Sequence, residues 1–352
     1  MAGIVAVGTA NPPYRLHQDE IKEYINQMLS HSRDDLKKLI SAFDNSTVEI
    51  RHFVQPKEWF NQLHSFRERN EVYIKHASNL SVEAICRCFK KARYTKPDHI
   101  VFVSTTGIAT PSIDAIIINK LRLDNHIKRT PIWGLGCVGG AVGLSRAFEY
   151  TTAFPNSLVL LVTLEICSLA FHKDDLSKSH IIATALFSDG AAAALIAGEK
   201  NVLFSLGNIR IVGSFSTTYY DTLDIMGWDI EESGFKVIFS KDIPAIVRKH
   251  IRNNVEEFIS RYNLGIDKIK HFIVHPGGPK VLKAYEDALG ISEEALVYSY
   301  RVLRMHGNMS SSTVLYVLNE FIENKNYKPG EYGLISALGP GFTSELLLFQ
   351  TL

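Results

Sequence analysis

Hydrophobic positions along the chain switch repeatedly between two periods. Continuous apolar runs of strand length stand at 100–104 (IVFVS), 131–135 (PIWGL), 158–162 (LVLLV) and 191–197 (AAAALIA). Further strands are expected at 271–274 (HFIV), 333–336 and 345–349. Runs that are apolar at every position predict strands covered on both faces by helices. Between them the spacing lengthens to that of a helix. Leu36, Leu39, Ile40 and Phe43 recur at i, i+3, i+4 and i+7 within 32–43, behind a Ser32/Asp35 capping pair. Ile246, Val247, Ile251, Val255, Phe258 and Tyr262 mark a long helix over 242–262. A small-residue helix is expected from Gly139 and another helix over 309–323. Loops are short and no low-complexity linker marks a boundary. The alternation predicts a layered α/β architecture.

The pattern also repeats. DHIVFVS (98–104) resembles IKHFIVH (269–275), and ALFSDGAAAALIAG (185–198) resembles ALGPGFTSELLLFQ (337–350). Ser104 precedes Cys137 by 33 positions, and His275 precedes Asn308 by the same number. Paired landmarks in one order predict two duplicated halves, 1–205 and 206–352. A pseudo-twofold axis would bring the strand ends of both halves to one centre, aligning Ser104 with His275 and Cys137 with Asn308.

Composition narrows the class. The 38 Lys plus Arg against 37 Asp plus Glu leave a charge of +1, which argues against a general nucleic-acid binder. The start, MAGIVAVGTANPPYR, has no basic segment before its apolar stretch, so a first strand is expected rather than a signal peptide. The longest apolar run, 158–164, is far short of the ~18 residues of a membrane span. Cys86, Cys88, Cys137 and Cys167 are too few for a disulfide scaffold and form no metal-type set, so a soluble, cytoplasmic protein is expected.

Cys137 lies in GLGCVGGA (134–141), where glycines on both sides allow a tight turn with the sulfur at a helix N-terminus. A thiol so placed is expected below its ordinary pKa of ~8.5. The other three cysteines are expected to pack in the core. GLGCVG also fits the dinucleotide fingerprint G-x-G-x-x-G. It sits more than a hundred residues into the chain, and the segment AFPNSL downstream has no acidic ribose partner, which argues against that use. His275 opens HPGGPK (275–280) at the end of an apolar strand, where open α/β sheets hold ligands. Asn308, in HGNMSSST (306–313), would ordinarily be an N-cap, and only the repeat pairs it with Cys137. Phe187 would be core filler on composition alone.

With these segments together the sequence resembles the thiolase superfamily, whose duplicated halves share one buried site. GLGCVGGA, ALFSDGAAAALI, HPGGPKVL, HGNMSSSTVLYVL and ALGPGFTSELLL closely resemble type III polyketide synthases, the chalcone synthase-like enzymes. SFRERNEVYI, STTGIATPSI and GFKVIFSKDIP are similar to the bacterial branch that makes alkylpyrones from long-chain acyl-CoA. The resemblance implies a layered αβαβα fold, an acyltransferase and a homodimer. It implies a triad of Cys137 as acyl carrier with His275 and Asn308, and acyl-CoA and malonyl-CoA as substrates with no cofactor or metal. It places Phe187 as a gatekeeper between CoA tunnel and cavity, with Val237 where plant enzymes carry a second phenylalanine. Gly277 and Gly278 fall along the pantetheine arm, and Gly339, Pro340 and Gly341 on the cavity wall. Thr105, Ala170 and Ser310 fall at cavity-lining positions, and Thr110 stands where plant enzymes push a methionine into the partner's cavity. Of the basic trio at the CoA phosphates, Lys38 is kept, with Ser41 and Asn45 at the other two places. Two rivals share part of the pattern: a β-ketoacyl carrier-protein synthase of the initiation type, and a catalytically silent relative acting as a binding subunit.

Overall fold

The computed structural model describes residues 1–29 and 38–352. Its strands are β1 (Ala2–Ala10), β2 (Tyr14–His17), β3 (Ile50–Phe53), β4 (His99–Val103), β5 (Lys128–Ile132), β6 (Leu158–Ile166) and β7 (Asp189–Gly198). After these come β8 (Ile209–Thr218), β9 (Met226–Glu231), β10 (Gly234–Phe239), β11 (Ile269–Val274), β12 (Tyr332–Gly339) and β13 (Thr343–Thr351). The longer helices are α1 (Gln18–Met28), α2 (Phe66–Ala92), α3 (Ile113–Leu121), α4 (Gly139–Ala153) and α5 (Lys178–Leu186). They continue with α6 (Ile243–Ser260), α7 (Pro279–Leu289), α8 (Val297–His306) and α9 (Thr313–Asn324). Of the helix expected over 32–43, residues 32–37 and the Ser32/Asp35 pair lie outside the described residues. The remainder is a 3-10 turn, Lys38–Ile40, and a short helix, Ser41–Asn45.

Nine strands form one mixed sheet in the order β11-β12-β13-β8-β1-β7-β6-β4-β5. β1 and β8 pair antiparallel at its middle. From each of them the sheet runs outward in the same way. β7 is antiparallel to β1 and β6, as β13 is antiparallel to β8 and β12; then β4 is parallel to β6, as β11 is parallel to β12. Among the described residues β5 has no counterpart. The sheet therefore has the twofold pattern implied by the repeat, and β4 and β11 occupy equivalent places.

Apolarity at every position of β7 has the expected cause. Ala191, Ala193, Leu195 and Ala197 face one core together with α2, and Ala192, Ala194 and Ile196 face another with α4 and α9. A third core covers the other arm with α6 and α7. Helices thus lie outside both arms and between them, the five-layered αβαβα arrangement. The two central helices pack closely because α4 begins with glycines. A Cβ at Gly140 would stand 2.2 Å from the Ser311 carbonyl oxygen.

Three boundaries differ from those expected. The strand expected over 131–135 is β5, three residues earlier; Gly134 and Gly136, at φ +90° and +49°, turn the chain before Cys137. The helix expected from 309 starts at Thr313, after a 3-10 turn at Ser310–Ser312. Cys86 is exposed on α2 rather than packed in the core, whereas Cys88 and Cys167 are buried. Among the described residues, no helix is long and apolar enough to cross a membrane.

Candidate active site

Cys137 occupies the turn Gly136–Val138 that leads into α4 and is 5% exposed. The Gly136 N–H donates to Thr105 Oγ1 at 3.0 Å, tying this turn to the segment after β4. His275 directly follows β11, and its N–H extends the ladder to the Ser336 carbonyl at 2.8 Å. Its side chain is buried, and neither ring nitrogen has a hydrogen-bond partner among the described residues. Asn308 lies between α8 and the Ser310–Ser312 turn and is fully buried. Its Oδ1 accepts the Ser310 N–H at 2.8 Å, and its Nδ2 donates to the Gly277 carbonyl at 3.4 Å. Residues far apart in the chain thereby meet. Cys137, His275 and Asn308 line one enclosed cavity with Met226, Phe239, Ile243, Gly277, Val281 and Leu338.

Burial dominates the electrostatics there. It pushes the Cys137 thiol up to about 12, against the pull of hydrogen bonds from Ser310 and Asn308, and the carboxylate of Glu165 adds to the rise. The same loss of water lowers His275 to about 3. The helix N-terminus was expected to lower the thiol; burial acts in the opposite direction. Burial thus works against the charged form of both groups. Glu165 is itself fully buried on β6, raised by burial to about 7, and accepts from the Thr105 N–H at 3.0 Å and Ser311 Oγ at 2.6 Å.

A second, larger and mostly apolar pocket adjoins this cavity. Cys167, Ala170, Phe187, Trp228 and Val237 line it together with Tyr24, Phe53 and Phe60. Phe187 meets Phe239 edge to face, with ring centroids 6.1 Å apart at 82°. One ring lines the larger pocket and the other the small cavity, so the pair forms the partition between the two chambers. Val237 and Phe239, two residues apart on β10, contribute one residue to each.

The remaining expected residues fall in three groups. Gly277 lines the cavity, and Gly278 caps the start of α7 beside it. Thr105 and Ser310 contact the Cys137 turn and its thiol, respectively. Gly339 and Pro340, from the loop expected at the cavity wall with Gly341, brace the turn that carries Cys137. A Cβ at Gly339 would lie 2.6 Å from both the Leu135 oxygen and the Val138 nitrogen, and Pro340 packs on Gly136. Leu338 takes the wall position. Thr110, expected to face a partner's cavity, is exposed on the surface of this chain, on the loop after β4. The Lys38 side chain expected at the CoA phosphates lies outside the described residues, and Ser41 and Asn45 sit in the short helix that follows.

Sequence reasoning missed Glu165, Trp228, Phe239 and Leu338. Glu165 carried a signal, since it is the one acid inside the apolar run of β6. The other three look like ordinary core residues until β10 and β12 are folded against the site.

A five-layered duplicated fold whose two halves deliver a buried cysteine, histidine and asparagine to one cavity defines a condensing enzyme of the thiolase type. The comparisons narrow the class. Residues 1–200 match the model of the N-terminal domain of chalcone and stilbene synthases, and residues 214–352 that of their C-terminal domain. The chain is 45% identical to a Bacillus subtilis protein described as "Putative chalcone synthase", covering 99% of each. It is 36% identical to a 1,3,6,8-tetrahydroxynaphthalene synthase of Streptomyces peucetius, over 99% of this chain and 92% of that one. The crystal structure of the Streptomyces coelicolor 1,3,6,8-tetrahydroxynaphthalene synthase, a bacterial type III polyketide synthase, superposes with a TM-score of 0.94 at 28% identity over 99% of both chains. This chain belongs to the chalcone and stilbene synthase family; it is a type III polyketide synthase, an acyltransferase.

Proposed function

We propose that the protein loads a medium- or long-chain fatty acyl group from acyl-CoA onto Cys137, extends it with malonyl-CoA, and releases cyclised alkylpyrone-type products. The convergence of Cys137, His275 and Asn308 on one cavity carries this reading. The Cys137 thiol attacks the acyl-CoA carbonyl and gives its proton to His275, and the departing CoA thiolate takes that proton up. A thioester on Cys137 results. Malonyl-CoA then loses CO₂, and the pair of electrons left behind forms an enolate whose oxygen needs donors in a dry site. The Asn308 amide supplies one N–H, and His275 in its Nε2–H tautomer supplies another. Preorganised donors of this kind are worth about 2.7–4 kcal/mol each. The carbanion attacks the Cys137 thioester, the new C–C bond replaces the C–S bond, and the chain grows by two carbons.

The apolar pocket behind Phe187 supports a fatty starter. Its lining combines small side chains, Ala170 and Val237, with the aromatic rings of Tyr24, Phe53 and Phe60. The family resemblance adds a homodimer in the cytoplasm. β5 is bonded on one side only, and exposed Ile108 and Trp133 beside it offer apolar surface to a second copy. The test of the reading is mass spectrometry of products from malonyl-CoA with acyl-CoA starters of increasing length. Pyrones from long starters are expected. Products from malonyl-CoA alone, with no fatty starter incorporated, would replace this reading by that of a naphthalene-type synthase.

A further inference from the structure

The Asn308 amide has two unlike ends, and the fold decides which one faces the cavity. Its Oδ1 is engaged inside its own turn by the Ser310 N–H at 2.8 Å, with Thr313 Oγ1 at 3.4 Å from the same oxygen. Turned over, the amide would set Nδ2 against that N–H, donor against donor. A buried donor left unpaired costs about 1–3 kcal/mol, so the orientation is held as long as the turn is held.

The turn is not held by ordinary backbone preference. Ser310 has φ +48°, the left-handed conformation that non-glycine residues rarely adopt. Nor does the helix behind it supply a conventional cap, because the Ser312 side chain donates to the Gly190 carbonyl instead. The hydroxyl that closes the turn belongs to Thr313, the fully buried first residue of α9. It accepts the Met309 N–H at 2.8 Å and donates to the Ser310 carbonyl at 2.9 Å, leaning toward Asn308 Oδ1. One hydroxyl therefore reaches three consecutive residues, 308, 309 and 310. An aliphatic side chain of the same shape could fill the space and make none of these bonds.

We propose that Thr313 is a positioning residue for the decarboxylative step: its hydroxyl locks the 308–310 turn so that Asn308 presents Nδ2, rather than Oδ1, to the thioester carbonyl of the substrate. This rests on the reading of Asn308 as the donor to that carbonyl.

The test compares Thr313→Val, Thr313→Ser and Asn308→Ala in two assays: malonyl-CoA decarboxylation under steady state, and acylation of Cys137 by acyl-CoA followed by mass spectrometry. Thr313→Val is expected to lower kcat for decarboxylation by roughly three- to tenfold, the worth of one hydrogen bond, with KM for malonyl-CoA and Cys137 acylation little changed. Thr313→Ser, which keeps the hydroxyl, is expected to restore kcat. Decarboxylation by Thr313→Val at the wild-type rate overturns the proposal while Asn308→Ala remains impaired. Equal losses in acylation and decarboxylation also overturn it, since a merely structural residue would give that pattern. Wild-type decarboxylation by Asn308→Ala instead overturns the reading of Asn308 itself. Should Thr313→Val not fold, Thr313→Cys against Thr313→Ser in the same two assays decides between the same outcomes.

Discussion

Asn308 and Phe187 share a parallel β-bridge. The Asn308 N–H donates to the Leu186 carbonyl at 2.8 Å, and the Asn308 carbonyl accepts the Ser188 N–H at 2.9 Å. The amide proposed to bind the reacting carbonyl is therefore anchored to the same piece of backbone as the ring that partitions the two chambers. Gly307 makes this approach possible. At φ +69°, a Cβ there would stand 2.9 Å from the Leu186 oxygen and 3.1 Å from Arg51 Cγ and Ser188 Cβ. Gly307→Ala is expected to cost about 1–3 kcal/mol and to displace Asn308. Thermal melting checks the first part. A larger drop in malonyl-CoA decarboxylation than in Cys137 acylation checks the second.

Cys137→Ala is expected to abolish condensation while leaving measurable CO₂ release from malonyl-CoA, because the donors His275 and Asn308 remain. Product analysis and CO₂ release on the same preparation test this. Full condensing activity in the variant would remove Cys137 from the role of acyl carrier.

The protonation state of Cys137 has a direct readout. With the thiol pushed up to about 12 and His275 held down to about 3, the thiolate is a small fraction at neutral pH. Alkylation of Cys137 by iodoacetamide is expected to be slow at pH 7 and to rise about tenfold per pH unit from 7 to 9, since only the thiolate reacts. A rate already level at pH 7 would mean that a thiolate–imidazolium pair exists before substrate arrives.

Acid is expected to destabilise the fold. Burial lowers His275 to about 3 and His52 and His306 to about 4, and His180 is lowered as well. Their contributions are present above the unfolded histidine pKa of ~6.5 and are lost as pH falls toward the folded values. Glu165 and Asp189, raised by burial to about 7, act in the opposite sense and gain as pH falls from 7 to 4. Four histidines against two carboxylates leave a net loss, so the melting temperature should drop between pH 6.5 and 4.5. A flat or rising profile would contradict these burial effects.

Filling the apolar pocket should change starter preference without touching the chemistry. Ala170 lines this pocket, so Ala170→Trp is expected to lower kcat/KM for long-chain starters by about tenfold or more and to spare short ones. Competition between a short and a long acyl-CoA in one reaction, read by mass spectrometry, measures the shift. Equal losses for both lengths would place the acyl chain elsewhere.

The runs that are apolar at every position, the internal repeat and the glycines around Cys137 were enough to foresee strands buried on both faces, two equivalent halves and a cysteine in the turn that leads into a helix. They also pointed to His275 and Asn308, because equal spacing in the two halves aligns positions that a twofold fold must bring together. These features depend on periodicity and local backbone conformation, which are properties of neighbouring residues. Other features depend on contacts between distant segments and were decided by tertiary structure. Desolvation reversed the expected direction of the Cys137 pKa. Packing of Gly339 and Pro340 on the 135–138 turn made them braces of that turn. Phe239 became half of the partition only when β10 met Phe187. The hydroxyl of Thr313, one polar atom at the start of an apolar helix, acquired a role only when the turn at Ser310 folded back onto it. Composition and spacing determine which groups can meet; how much water they lose and which way they point is set by everything packed around them.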